Sequence, residues 1–130
     1  MKFITLIILL VPLLTGCKKD KVDIIKRNLD KAAKIINDNA PIITEGISID
    51  KATSGPGYAL NYFYTVLEVN ASSIDKVQFK KEKYEYTLQH YKTDHNMSVM
   101  WKNNVKLTYS YSDELDNKIC EFTLLPSEHY

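Results

Sequence analysis

The sequence predicts an α+β domain: a four-stranded antiparallel sheet with two helices packed on one face. Three observations predict it. Apolar residues recur at three- and four-residue steps in two stretches, 21–39 and 73–101, and at alternate positions in four others. The resulting order is helix-strand-strand-helix-strand-strand, the simplest solution to which is two layers around one core. The 114 residues that follow an apolar leader suffice for one modest core and not for two.

The leader comes first. Lys2 gives it a basic start, and Phe3 to Leu14 is apolar except for Thr5 and Pro12. A run of about 12 residues spans roughly 18 Å as a helix, against about 30 Å for a bilayer core. It therefore suits a secretory h-region better than a permanent span. The small residues Thr15 and Gly16 follow, directly before Cys17. Leu14-Thr15-Gly16-Cys17 resembles, position by position, the lipobox of bacterial lipoprotein precursors. That resemblance implies cleavage between Gly16 and Cys17, diacylglycerol on the Cys17 sulfur and acylation of the new amino group. A thiolate is the nucleophile such chemistry needs, and two or three acyl chains at about 0.8 kcal/mol per buried CH₂ anchor stably. The chain then divides into a signal peptide (1–16), an acylated tether (17–20) and a single α+β domain (21–130). Lys18, Lys19 and Lys21 sit within a Debye length of the lipid and either favour anionic head groups or act as a soluble spacer. In enterobacterial lipoproteins Asp after the cysteine goes with inner-membrane retention. Lys18 in that position implies the outer membrane if the host is Gram-negative.

The first helix follows from Val22, Ile25, Leu29, Ala33 and Ile36, which form one stripe. Asp30 and Lys34 make a supportive i,i+4 pair, and Asn37-Asp38-Asn39 with Pro41 ends the helix. Ile42 to Asp50 reads as a strand, with Ile47 and Ile49 alternating against Ser48 and Asp50. Ser54-Gly55-Pro56-Gly57 is a turn cluster and lacks the Lys-Ser/Thr ending of a phosphate-binding loop. Tyr58 to Val69 is the next strand. Leu60, Tyr62, Tyr64 and Val66 share one face, Phe63, Leu67 and Val69 the other, so this strand is expected to be central.

Ser73 is a candidate cap for the second helix. Its stripe, looser than the first, is Val77, Tyr84, Leu88, Tyr91 and His95, with a break expected near Asp94 to Asn96 and an end at Asn103-Asn104. Val105, Leu107, Tyr109 and Tyr111 alternate with Lys106, Thr108 and Ser110 as in a half-buried strand. Lys118 to Leu125 turns Cys120, Phe122 and Leu124 inward, and the two strands read as a hairpin. Pro126 ends it. The sheet face away from the helices is expected to carry Tyr, Thr and Ser side chains.

Charge and motifs exclude more than they assign. The full chain carries 17 basic and 16 acidic residues, and loss of Lys2 with the leader leaves 16 of each. That balance lacks the basic footprint of a nucleic-acid partner. With Cys17 acylated, Cys120 is the remaining thiol, and its strand neighbours favour a small buried residue over a reactive one. His90 and His95 lie about 140° apart on a helix and cannot chelate one metal as an i,i+4 pair would. His129 stands alone near the end. Asp94-His95 comes with no nucleophile elbow. Glu82 and Glu85 sit among Lys80, Lys81 and Lys83 as a solvated face. No catalytic residue, metal site or cofactor is therefore expected.

Nine tyrosines are many for this length. Tyr58, Tyr62, Tyr64, Tyr109 and Tyr111 all fall on expected strands, where they fill a sheet face or form a binding surface, since tyrosine joins large contact area to a polar tip. The sequence thus points to a membrane-anchored, non-enzymatic envelope lipoprotein that binds another envelope protein. A cell-wall-directed hydrolase is the alternative if a cleft holds a carboxylate or a partnered His, and ligand binding if there is a concave apolar pocket.

Overall fold

The computed structural model describes residues 24–126. Helix α1 (24–39) ends one residue before the Ala40–Pro41 bond. Strands β1 (Ile42–Thr44), β2 (Ile47–Ser54) and β3 (Ala59–Val66) follow. A 3₁₀ turn (Ala71–Ser73) leads to α2 (Lys76–Thr93), a second 3₁₀ turn (His95–Met97) and α3 (Ser98–Lys102). Strands β4 (Lys106–Asp113) and β5 (Lys118–Leu124) complete the order.

The five strands form one mixed sheet in the order β1-β2-β3-β4-β5. This corrects the four-stranded antiparallel expectation in two ways. Glu45 and Gly46 both adopt positive φ (50° and 78°), the geometry of a type I′ hairpin turn. They split the segment read as one strand into β1 and β2, which pair antiparallel from Ile42↔Ile49 to Thr44↔Ile47. In addition, β3 and β4 are parallel, in continuous register from Ala59↔Lys106 to Val66↔Asp113. The helical connection between them returns the chain to the end of the sheet where β3 began, which a short turn could not do. Strand β3 is central, as its two-faced apolar pattern implies.

Register sorts the helix-facing side into rows. Leu60, Leu107 and Leu124 lie abreast and are fully buried. The next row is Ala52, Tyr62, Tyr109 and Phe122, and the one after is Ile49, Tyr64, Tyr111 and Cys120. A bulge between Ile49 and Lys51 keeps both Ile49 and Ala52 on this side. Helix α1 contributes Leu29 and Ala33, buried, with Ile25 and Ile36 packed beside them, along the expected stripe.

Helix α2 is capped by Asp75, whose side chain accepts from the Gln78 N–H at 3.0 Å; Ser73 lies in the preceding 3₁₀ turn. Tyr91, Tyr84 and Leu88 face the core as expected, whereas Val77 and His95 are exposed and Phe79 packs inward instead. The break after Asp94 is present.

Candidate functional site

A groove of about 430 Å³, open to solvent, lies on the helix-bearing side of the sheet. One wall is the β1–β2 hairpin, with Ile42, Ile47 and Ile49. The other is a single stripe of α2: Lys83, Tyr86, Thr87 and His90, at steps of three and four. Tyr64, Tyr109 and Tyr111 form the floor. The hairpin supplies isoleucines because alternation in β1 and β2 turns Ile42, Ile47 and Ile49 to the same side as the tyrosines.

The floor is a ladder of rings. Tyr64 stacks on Tyr111 with centroids 4.8 Å apart and planes 11° apart. Tyr109 stacks on Tyr62 at 5.1 Å and on Phe122 at 5.3 Å. From α2, Phe79 and Tyr84 meet Tyr111 and Phe122 edge-on, at 5.5 and 5.6 Å. Offset stacks with edge-on rings are the arrangement aromatic quadrupoles favour, so the floor is rigid. Burial pushes the Tyr111 hydroxyl up to about 12 and raises those of Tyr62, Tyr64 and Tyr109 as well. These phenols stay neutral at ordinary pH.

The walls differ in polarity. His90 sits at the solvent-exposed edge, its Nδ1 3.0 Å from the Tyr86 carbonyl oxygen and its ring 4.2 Å from the Tyr86 ring. Tyr86 is 63% exposed, an unusual position for so large an apolar surface. The Lys83 ammonium lies 5.4 Å over the Phe79 ring. Glu45 lines the groove from the hairpin turn, on the wall opposite His90. Among the described residues that line the groove there is no serine or cysteine, and nowhere among them do three His, Cys, Asp or Glu side chains cluster as metal ligands would.

Four of the five singled-out tyrosines are brought together, but not where expected. Tyr62, Tyr64, Tyr109 and Tyr111 share the helix-bearing side; the far side carries Asn61, Phe63, Thr108, Ser110 and Thr123. Alternation within each strand decides this: positions in step with buried Leu60 and Leu107 must face the core. The far side satisfies its own polar groups, through Thr108–Thr123 at 3.0 Å and Ser110 donating to Glu121 at 2.7 Å. Tyr58 precedes β3 and is no part of the ladder; its carbonyl accepts from the Lys106 N–H. Gly16 and Cys17 lie outside the described residues. Cys120 is buried on β5, and burial raises its thiol pKa.

Tyr86, Thr87, Lys83 and the isoleucine wall were not legible as a site. The sequence does hold one signal: four α2 residues that fall off the core stripe yet include an aromatic.

No protein-family model matches this sequence, and no curated protein matches it. Solved structures do resemble the fold. The pilotin EpsS of the Vibrio vulnificus type 2 secretion system superposes with a TM-score of 0.69 at 10% identity, over 86% of this chain and 97% of that one. The type II secretion system pilotin AspS of Vibrio cholerae gives 0.64 at 8% identity, over 86% and 98%. A Pseudomonas aeruginosa protein described as secreted gives 0.61 at 18% identity, over 80% and 91%. At these identities the shared property is the fold.

Proposed function

We propose that this chain is a lipid-anchored envelope protein that binds a protein partner in the groove between α2 and the β1–β2 hairpin, as a pilotin-type component of a type II secretion system. The observation that carries the reading is the groove itself. It offers an isoleucine wall, a rigid tyrosine floor and an exposed aromatic rim in Tyr86. Anchors of this kind dominate protein interfaces because they bury large area at little entropic cost. The fold shared with two pilotins and the lipobox at Leu14-Thr15-Gly16-Cys17 support the same reading. On it, the mature protein begins at Cys17 and sits in the outer membrane.

The groove also defines the occupant. An extended or helical segment with apolar side chains towards Ile47, Ile49 and Tyr64, and an acidic group towards Lys83, would match both walls. The role in this reading is binding without catalysis.

A photo-crosslinking amino acid at Tyr86 or Thr44, on the rim, tests this in cells expressing the full lipoprotein. The expected result is an adduct with one envelope secretion component, absent when the crosslinker sits at Ser110 or Thr123 on the far side. Ile49→Glu should abolish it. Equal adducts from both sides would refute the groove. Cys17→Ser should block lipid labelling and leave unprocessed precursor, and unchanged labelling would refute the anchor.

A further inference from the structure

We infer that the corner where the start of α1 packs against α3 is the surface this domain lays on the bilayer. Ile24 and Val99 are 48% and 62% exposed. Val99 borders a shallow apolar hollow of about 100 Å³ between the two helices, together with Ile25, Asn28 and Met100. Ile24 lies one turn before Asn28 and so on the same stripe of α1. Trp101 follows on α3, half-buried, with the Lys102 ammonium 5.6 Å over its ring. Lys102 is exposed on the same short helix. Protruding aliphatic tips, with an indole and a cation on the adjoining helix, are the composition of an interfacial site. The aliphatic groups enter the acyl boundary, tryptophan settles at head-group level and cations meet phosphates.

Chain length identifies what covers this corner. The inference rests on the acylation of Cys17 proposed above. From Cys17 to Ile24 the chain is seven residues long and reaches at most about 25 Å when extended. Ile24 therefore stays within about 25 Å of the anchor, and no described residue is nearer to it along the chain. Lys18, Lys19 and Lys21 fall within that stretch and make the tether basic. The acyl chains already recruit the protein, so the patch has only to select an orientation. A bilayer rich in anionic lipid is the occupant, and no protein partner is needed.

Trp101 is the sole tryptophan and reports on this corner without a label. The full acylated protein is placed in phosphatidylethanolamine–phosphatidylglycerol vesicles carrying lipids spin-labelled at shallow or deep positions. Shallow labels should quench Trp101 several-fold more strongly than deep ones. The double variant Ile24→Glu, Val99→Glu changes only exposed side chains and should still float with the vesicles while losing most of that quenching. Removing phosphatidylglycerol should weaken it too. Vesicle-bound, acylated wild type quenched no more than the double variant would overturn the docking surface and leave the anchor intact. Mass spectrometry showing Cys17 unmodified would overturn both.

Discussion

Asn37→Ala should destabilise the domain by about 2 kcal/mol, because one side chain closes an open sheet edge. Strand β1 pairs with β2 only as far as Ile49. Beyond it, Ala52 points its N–H and C=O away from β3, where no strand meets them. Asn37, near the end of α1, takes the place of a neighbouring strand. Its Oδ1 accepts from the Ala52 N–H at 2.8 Å, and its Nδ2 donates to the Ala52 carbonyl at 2.9 Å. Each bond contributes about 1 kcal/mol net, and both partly buried backbone groups lose their partner at once. For a domain of this size the loss lowers Tm by roughly 8 °C. Asn37→Asp keeps the acceptor and loses the donor, so it should fall between wild type and Asn37→Ala. Thermal unfolding followed by circular dichroism gives the shift, and hydrogen exchange at the Ala52 amide localises it. An unshifted Tm with unchanged protection of that amide would refute the reasoning. Concentration-dependent association of Asn37→Ala is a further expectation, since an uncovered edge recruits another chain.

Four further outcomes follow from other contacts in the fold. Buried Asp113 accepts from the Ala71, Leu115 and Asn117 N–H groups and from the Asn117 amide, so its pKa falls from an ordinary 3.8 to about 2, mainly through the Ala71 bond. A depressed carboxylate stabilises the fold above about pH 4 and loses that contribution as pH falls towards 2; urea midpoints should decline over that window in wild type and much less in Asp113→Asn. The raised tyrosine pKa values act in the opposite direction: stability should be complete below pH 10 and decline as pH rises towards 12, with Tyr111 ionising at about 12 in absorbance titrations. Tyr86→Ala should change stability by no more than about 0.5 kcal/mol, because the ring is exposed, while sharply reducing partner crosslinking. Tyr111→Ala should cost roughly 3–5 kcal/mol through loss of a buried ring.

Periodicity revealed what one face of each element does and missed what pairs of elements do. The stripe of α1, the buried Cys120 and the alternation of β4 all follow from local spacing. The hairpin at Glu45-Gly46 was hidden because Ile42 and Ile43 continue the β pattern up to Thr44; Gly46 inside an apparent strand was the available signal. The parallel pairing of β3 with β4 has no local signature, since a central strand shows apolar residues on both faces in either direction. The groove was illegible for the same reason. Its floor is visible as tyrosines in two strands, but its walls meet only once α2 and the hairpin are set on either side of the sheet.

The two proposed surfaces occupy opposite ends of the sheet, and that separation has a mechanical consequence. Val105 borders the α1–α3 hollow, whereas Tyr111, six residues on along β4, lies in the groove floor. At about 3.3 Å per strand residue that is about 20 Å. With the α1–α3 corner against lipid, as proposed, the groove stands clear of the head groups. A tether of seven residues without the docking corner would leave the domain free to tumble, often presenting the groove to the membrane. Fixing one end orients the other, which raises the chance that an arriving partner meets the isoleucine wall without altering a single contact inside the groove. The Ile24→Glu, Val99→Glu variant should therefore slow partner capture in membranes while leaving binding by detergent-solubilised protein unchanged. Equal losses in both settings would mean that the corner contacts the partner directly.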